Sequence, residues 1–281
     1  MTLPILEIRV TEPTWEPPLT VVCPGYEGSA WRDEALARDT FDRHLASFAL
    51  PYSALTGVDH STAAELLRRA AKAVYSTDKY RRRGEFGELL LHAICRDIFK
   101  SEPAISKITF KDSANDTVKG FDSVHVVATT DALELWLGEV KFYQDLARAV
   151  SDSAAELAEH LKTDYLRSEF VAVVNKLDPS WPHAQDLVRL LQPNTSLDQV
   201  FDVLTIPVLL TYDSRVVKAN DRLCDAYIQG LRDEASIAWR SFAAKCDSRW
   251  KIRIRLVLLP MLQKVRLATL MQERLIAWQQ V

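Results

Sequence analysis

Glycine is scarce in this chain of 281 residues, which contains only eight of them. None stands in a G-x-x-x-x-G-K-[ST] or G-x-G-x-x-G pattern, whose backbone amides cradle phosphates. The sequence also lacks G-x-S-x-G and H-E-x-x-H, and its six histidines are scattered. These absences argue against an ATPase, a Rossmann dehydrogenase, a serine hydrolase and a zincin. Catalysis, if present, has to come from carboxylates and lysine.

Cysteine pairs and long apolar runs are absent as well. The four cysteines lie far apart without a Cys-x-x-Cys pair, which argues against a zinc ribbon and a disulfide framework. The apolar run Leu256 to Leu262 contains a proline and is far shorter than the ~18 residues of a membrane helix. The first residues show no basic start followed by a long apolar stretch, the pattern of a secretory signal. We therefore expect a cytoplasmic protein that does not enter a membrane.

Charge and composition are those of an ordinary globular protein. There are 35 Lys+Arg against 38 Asp+Glu, and hydrophobic residues make up 48% of the chain. The net charge of −3 predicts no overall attraction to nucleic acid, so such binding needs a local basic patch. At roughly 150 residues per domain, the length allows one large domain or two small ones.

The order of expected elements indicates an α/β fold behind an N-terminal extension. Five prolines between positions 4 and 24 predict an arm and not a core element there, although Ile5 to Val10 is strand-like. We predict helices at 33–48, 61–75, 81–99, 144–161, 185–191 and 221–244 with a last one ending near 278, and strands at 105–111, 121–128, 133–142, 170–174, 203–210 and 252–259. The predicted division is an extension at 1–58 and one α/β domain at 59–281.

Two neighbouring strands each carry an apolar stripe that ends in charge. Alternation along 122–128 puts Asp122 on one face with two valines and an alanine. Along 133–141 it puts Glu139 and Lys141 on one face with three leucines. If a four-residue turn joins the strands, the two apolar stripes lie side by side and Asp122 opposes Glu139. A register shifted by one residue would pair the apolar face of one strand with the polar face of the other. The two carboxylates then have β-carbons about 5 Å apart.

Like charges side by side at the end of a buried face destabilise a hairpin, and a divalent cation removes that penalty. Ligation by two carboxylates suits Mg²⁺, with Mn²⁺ as a substitute. Lys141 is then placed to orient or deprotonate a metal-bound water, or to stabilise a pentacovalent phosphate. The constellation predicts phosphodiester hydrolysis.

The helix before these strands adds further acids. Glu85 and Glu88 lie three residues apart on one face, and His92 follows one turn later. We expect Glu88 to be an outer carboxylate of the metal site, with Glu85 as the reserve. For both, the alternative is a solvated helix start favoured by the helix dipole. His92 is more typical of a packing residue than of a ligand.

Candidate DNA contacts flank these acids in the sequence. The basic residues Lys79, Arg81, Arg82 and Arg83 lead into the acidic helix and could hold phosphates near the metal. Gln144 follows the Glu-x-Lys strand and could touch the metal site or the DNA backbone. For the basic residues, the alternative is a solvated helix end. For Gln144, it is a surface position without a functional contact.

Three segments carry a family resemblance: Arg-Gly-Glu-Phe-Gly-Glu at 83–88, Gly-Phe-Asp-Ser-Val-His at 120–125 and Leu-Gly-Glu-Val-Lys-Phe-Tyr at 137–143. Residues 80–162 approximately resemble the core of the PD-(D/E)xK nuclease superfamily. The shared features are an acidic helix, an Asp on one strand, Glu-x-Lys on the next strand and a helix that follows. The segments further resemble HamA, the nuclease component of Hachiman anti-phage systems, which the chain length and element order fit. Phe121 stands where the superfamily's name has proline.

The resemblance implies a restriction-endonuclease-like core, a mixed central sheet flanked by helices, and metal-dependent cleavage of DNA. By the motif, Asp122 and Glu139 would be metal ligands and Lys141 the catalytic lysine. It also implies a HamB-type superfamily 2 helicase as partner, which drives DNA translocation with ATP and restrains the nuclease. The missing P-loop fits this division of labour, and residues 1–58 are our candidate for the docking segment.

Two alternatives stay open at this point. An RNA or tRNA nuclease on the same fold would use the same metal chemistry, although no aromatic stacking platform in the sequence favours it. A catalytically silent binding or scaffolding module would keep the fold. Such a module would have no reason to tolerate two opposed carboxylates beside a buried stripe.

Overall fold

The computed structural model describes residues 3–59, 61–74, 84–106, 120–128, 133–247 and 250–280. Within these residues the strands are β1 Glu7–Glu12, β2 Leu19–Cys23, β3 Tyr26–Glu27, β4 Ala30–Trp31, β5 Glu102–Pro103, β6 Ser123–Ala128, β7 Leu133–Phe142, β8 Leu204–Asp213 and β9 Arg253–Met261. The helices are α1 Asp33–Ala49, α2 Ala63–Ala73, α3 Glu85–Asp97, α4 Leu146–His160, α5 Thr163–Lys176, α6 Ala184–Leu190, α7 Leu197–Val203, α8 Arg215–Ala219, α9 Asp225–Ala243 and α10 Lys264–Gln280, with a 3₁₀ turn at Tyr52–Ala54.

Seven of these strands form one mixed sheet in the order β1-β2-β9-β8-β7-β6-β5. The four central strands β2, β9, β8 and β7 run parallel, and antiparallel strands flank them on both sides. Helices α1, α3 and α10 pack together on one face of the sheet, whereas α4 and α9 pack on the other. The expected α/β architecture, a mixed central sheet flanked by helices, is confirmed.

The hairpin that carries the candidate residues has the predicted register. β6 and β7 pair antiparallel from Ser123 opposite Gly138 to Ala128 opposite Leu133. The stripe residues Val126 and Leu135 oppose each other and are fully buried, so a slip would expose both. The turn predicted at 129–132 lies outside the described residues.

The prediction that residues 4–24 form an arm outside the core is wrong. β1 and β2 belong to the main sheet, and β2 pairs in parallel with the central strand β9. The prolines at 13, 17, 18 and 24 fall between or after the strands, where a missing N–H breaks no ladder. The first 58 residues therefore contribute two strands and α1 to the same sheet and helix layer as the later residues.

The prediction of a strand at 170–174 is also wrong, because the run lies inside α5. Phe170 and Val173 are buried while Val171 is 55% exposed, which is helical spacing and not alternation. A run of five apolar residues does not distinguish the two by itself. The predicted strand at 105–111 lies mostly outside the described residues.

A proline sits in the middle of the central strand β8. Pro207 opposes Arg255 on the β9 side, and the pairing of β8 with β7 is interrupted at this level. The interruption arises because proline lacks the N–H that the ladder needs. Pairing resumes with Glu139 opposite Val208. Glu139 is thus the first β7 residue paired again beyond the break.

Since β7, β8 and β9 run parallel, their carboxyl ends meet at one edge of the sheet. The segments that leave this edge carry Gln144, two residues after β7, and Lys264, three residues after β9. Residues far apart in sequence are thereby brought together. Across the described ranges, every helix is too short or too polar to traverse a bilayer.

Candidate active site

A cleft of about 730 Å³ opens at this carboxyl edge. Its lining includes four of the residues that the sequence singled out: Glu88, Asp122, Lys141 and Gln144. The start of α3, the residue before β6 and the end of β7 therefore converge on one surface. Glu139 is not part of that lining, because its side chain is buried on the α4 side of the sheet.

Asp122 lies where the hairpin ladder ends. Its N–H donates to the carbonyl of Gly138 at 2.8 Å, and its carboxylate Oδ2 accepts the N–H of Val140 at 2.9 Å. The carboxylate thus takes the place of a backbone acceptor. The register predicted to oppose Asp122 and Glu139 stops one pair short, at Ser123 opposite Gly138.

Glu139 is a buried acid, with only 1% of its surface exposed. Its Oε1 accepts a hydrogen bond from Lys141 Nζ at 2.8 Å. Burial alone would raise the pKa of Glu139, but His160 and the Lys141 ammonium outweigh burial and lower that pKa from its usual value. Glu139 therefore stays ionised inside the protein.

Lys141 is held between two carboxylates. Its Nζ donates to Glu139 and to Glu156, and only 7% of the residue is exposed. Burial alone would lower the pKa of Lys141, but the charges and hydrogen bonds of Glu139 and Glu156 raise it. In this arrangement Lys141 is an ammonium and not a proton acceptor.

Two residues of α4 complete this group, and sequence reasoning missed them. Glu156 and His160 are four residues apart and so share one face of α4. His160 Nδ1 lies 3.3 Å from Glu139 Oε2, and its Nε2 lies 3.9 Å from Glu156 Oε1. The one sequence signal for them is two polar residues a turn apart on the helix that follows the Glu-x-Lys strand.

Glycine brings α3 close to β7. A Cβ added at Gly87 would lie 2.7 Å from the Cβ of Phe142, so only glycine fits without movement. The close approach places Glu88, which is largely buried, at the cleft. Glu85, the reserve candidate, is not among the cleft residues.

His92 packs instead of facing the cleft. It belongs to a buried chain of hydrogen bonds from Ser47 through His92 and His125 to Ser101, with contacts of 2.9, 3.0 and 2.9 Å. Ser47 Oγ also accepts a hydrogen bond from the Arg96 guanidinium at 2.9 Å. Burial holds the pKa of His92 well below its usual range and lowers that of His125 to about 3. Both rings are therefore neutral.

Cations border the cleft. Arg148 in the first turn of α4 and Lys264 at the start of α10 line it beside Gln144. Lys264 Nζ lies 4.9 Å from the centre of the Phe142 ring, and burial lowers the pKa of Lys264 despite nearby Asp213. The sequence did not reveal Lys264, because only the parallel strand order brings it to β7.

The predicted basic contacts Lys79, Arg81, Arg82 and Arg83 lie outside the described residues. Along the chain they immediately precede Gly84, which lines the cleft. Their role as DNA contacts stays a prediction.

The HamA family model matches residues 4–275. This span runs from before β1 into α10 and so includes the cleft, the hairpin and the N-terminal strands. No curated protein matches the chain. Because the match covers nearly the whole sequence, the chain belongs to the HamA family of Hachiman defence components.

Proposed function

We propose that this chain is a Mg²⁺-dependent DNA nuclease, the effector of a Hachiman-type defence complex. The observation that carries the proposal is the meeting of Glu88, Asp122 and Lys141 on one cleft, with Lys141 bonded to the buried Glu139. Carboxylates suit the metal ion that assists phosphodiester hydrolysis, and a lysine beside them can stabilise negative charge on the phosphate. Membership in the HamA family supports the defence role.

The residues present suit a hard divalent cation. Glu88 and Asp122 place two carboxylates on the cleft, and the ionised Glu139 carboxylate is bonded to Lys141, which lines the same cleft. Asp122 and Glu139 are our proposed ligands, with Glu88 outside them, and Mn²⁺ is the expected substitute. When bound, Mg²⁺ would supply positive charge for the scissile phosphate and lower the pKa of a bound water.

The chain's own residues have distinct tasks in this proposal. Asp122 is held towards the cleft by the N–H of Val140. Lys141, whose pKa is raised, serves as a fixed positive charge that stabilises the developing charge on phosphate, in preference to removing a proton. Gln144, Arg148 and Lys264 hold the phosphates on either side of the scissile bond.

The partner belongs to the proposal as well. Family membership implies a partner within a defence complex, and the sequence has no P-loop of its own. We propose a HamB-type superfamily 2 helicase that supplies ATP-driven translocation and restrains cutting. Docking through residues 1–58 stays a prediction, now limited to the exposed parts of segments that also belong to the sheet.

The test uses the purified chain with supercoiled plasmid and with matched RNA, in Mg²⁺ and in EDTA, alone and with the helicase and ATP. A Glu139→Gln, Lys141→Met double variant removes the proposed machinery. Glu159→Gln, an exposed change on α4, is the matched control. Metal-dependent DNA cleavage that only the double variant loses supports the proposal. Cleavage of RNA alone, or no cleavage by the complete complex with ATP and DNA, contradicts it.

A further inference from the structure

The face of α4 that meets β7 holds a nitrogen and two carboxylates in one group. Glu139, Glu156 and His160 each offer a ligand atom, and these atoms lie within 4.8 Å of one another. We propose that they bind a divalent transition-metal ion such as Mn²⁺. The inference rests on the proposed function only in that Glu139 serves both sites.

The first argument is a buried histidine with an unsatisfied ring nitrogen. His160 is 6% exposed, and its buried Nδ1 makes no hydrogen bond of normal geometry within the part of the chain that the structure describes. Its Nδ1 faces Glu139 Oε2 at 3.3 Å, and that oxygen also lacks a hydrogen bond among the described residues. Buried polar atoms are normally paired. A cation between these two atoms would satisfy both.

The second argument is that the ring is fixed in a ligating direction. His160 stacks on Tyr165 with ring centres 4.5 Å apart and meets Phe121 edge-on at 5.0 Å. These contacts hold Nδ1 towards Glu139 and Nε2 towards Glu156. A ring locked by packing presents its nitrogen without further loss of freedom on binding.

The third argument concerns the charge that now occupies the site. Lys141 Nζ bonds to both Glu139 and Glu156. The ammonium therefore occupies the position that a metal ion bound by both carboxylates would take. Two ligands of one ion with bonds of about 2.1 Å lie at most ~4.2 Å apart. The 41% exposed side chain of Glu156 has room to close the remaining gap by rotation. Lys141 would then turn into the cleft that it already lines.

The donor set indicates the class of ion. Mg²⁺ prefers oxygen ligands, whereas an imidazole nitrogen raises the relative affinity for first-row transition metals. One histidine with two carboxylates therefore favours such an ion over Mg²⁺.

A second group of similar composition shows the contrast. Asp39, His44 and Asp97 also lie close together. There the Arg43 guanidinium pairs with both aspartates, at 3.1 and 2.9 Å, and His44 Nε2 is hydrogen-bonded to Asp97. Because Arg43 already compensates the acids, that group carries no proposal.

The test is a Mn²⁺ titration of the full chain followed by electron paramagnetic resonance, with the ¹⁴N coupling to bound Mn²⁺ read from pulsed spectra. His160→Phe keeps a ring between Tyr165 and Phe121 but removes the nitrogens, and Glu156→Gln removes a charge at constant shape. We expect either change to weaken Mn²⁺ binding by more than about tenfold. Losing a residue that only supports a metal ligand already costs about tenfold, and here a ligand itself is lost. His160→Phe should also abolish the ¹⁴N coupling, while Glu159→Gln should change neither.

Asp122→Asn separates this inference from the proposed function. Binding that survives His160→Phe and Glu156→Gln but is lost in Asp122→Asn would overturn the inference and leave the nuclease proposal intact. Binding with ¹⁴N coupling in a chain that cuts no nucleic acid, even with its helicase, would support the inference and contradict the nuclease proposal. Circular dichroism of each variant checks folding, and Glu156→Gln keeps the test decisive if His160→Phe does not fold.

Discussion

Lys141 Nζ donates to Glu139 Oε1 at 2.8 Å in a place where both side chains are almost completely buried. The two residues share a face of β7 because they are two positions apart. A buried pair of this kind is costly to break from one side, because the remaining charge then has no partner. The geometry of the proposed nuclease site therefore also bears on the stability of the fold.

Lys141→Met should destabilise the protein in metal-free buffer by about 3 kcal/mol, since Glu139 loses its cation. Urea unfolding in EDTA measures the change in the free energy of unfolding. The Glu139→Gln, Lys141→Met double variant should recover part of the loss, because no buried charge remains. Equal unfolding of wild type and Lys141→Met would show that the pair does not stabilise the fold.

Acid should weaken the protein through the buried histidines. The pKa of His125 is lowered to about 3 by burial, whereas an unfolded histidine has a pKa of about 6.5. Between these values the unfolded chain binds more protons, so stability is present above about pH 6.5 and falls as the pH drops towards 3. Urea unfolding at a series of pH values should show this slope, and His125→Phe should reduce it. An unchanged slope in that variant would contradict the prediction.

Gly87→Ala should force α3 away from β7, because the new Cβ would meet the Cβ of Phe142 at 2.7 Å. We expect a loss of about 1–3 kcal/mol, the usual cost of overpacking, despite the better helix propensity of alanine. Gly84→Ala is the matched control, since among the described residues its Cβ meets only Glu88 Oε1, at 3.7 Å. Thermal denaturation compares the two variants. If the Gly87→Ala variant is as stable as the control, α3 can move away from the sheet without loss of stability, which would contradict the prediction.

Arg148→Gln and Lys264→Gln should each weaken DNA binding and reduce its salt dependence, because both cations line the proposed DNA cleft. The slope of log affinity against log salt should fall by about 1 for each lost phosphate contact. Fluorescence anisotropy with a labelled duplex in EDTA gives both quantities. Arg189→Gln, an exposed change on α6 away from the cleft, is the control. Variants that match this control would place the DNA elsewhere.

The sequence was sufficient to predict the hairpin, since two buried stripes such as Val126 and Leu135 admit one register. It also predicted the flanking helices α1 and α4 within a few residues. Glu156 and His160 were not predictable, because nothing local tells which face of α4 turns towards β7. The position of Lys264 at the cleft could not be predicted, because it depends on the parallel pairing of strands that are distant in sequence. Strands β1 and β2 were missed because the sequence alone does not distinguish prolines that lie between strands from prolines that prevent a strand.

The position of β2 beside β9 sets the order in which the molecule can be completed. Residues 19–23 pair with a strand that begins at Arg253, and Lys264 enters the cleft only after that strand. During synthesis β2 cannot complete its pairing in the sheet until residues 253–261 have left the ribosome. A chain synthesised only as far as β8 therefore lacks the strand that joins β2 to the rest of the sheet, and its cleft lacks Lys264.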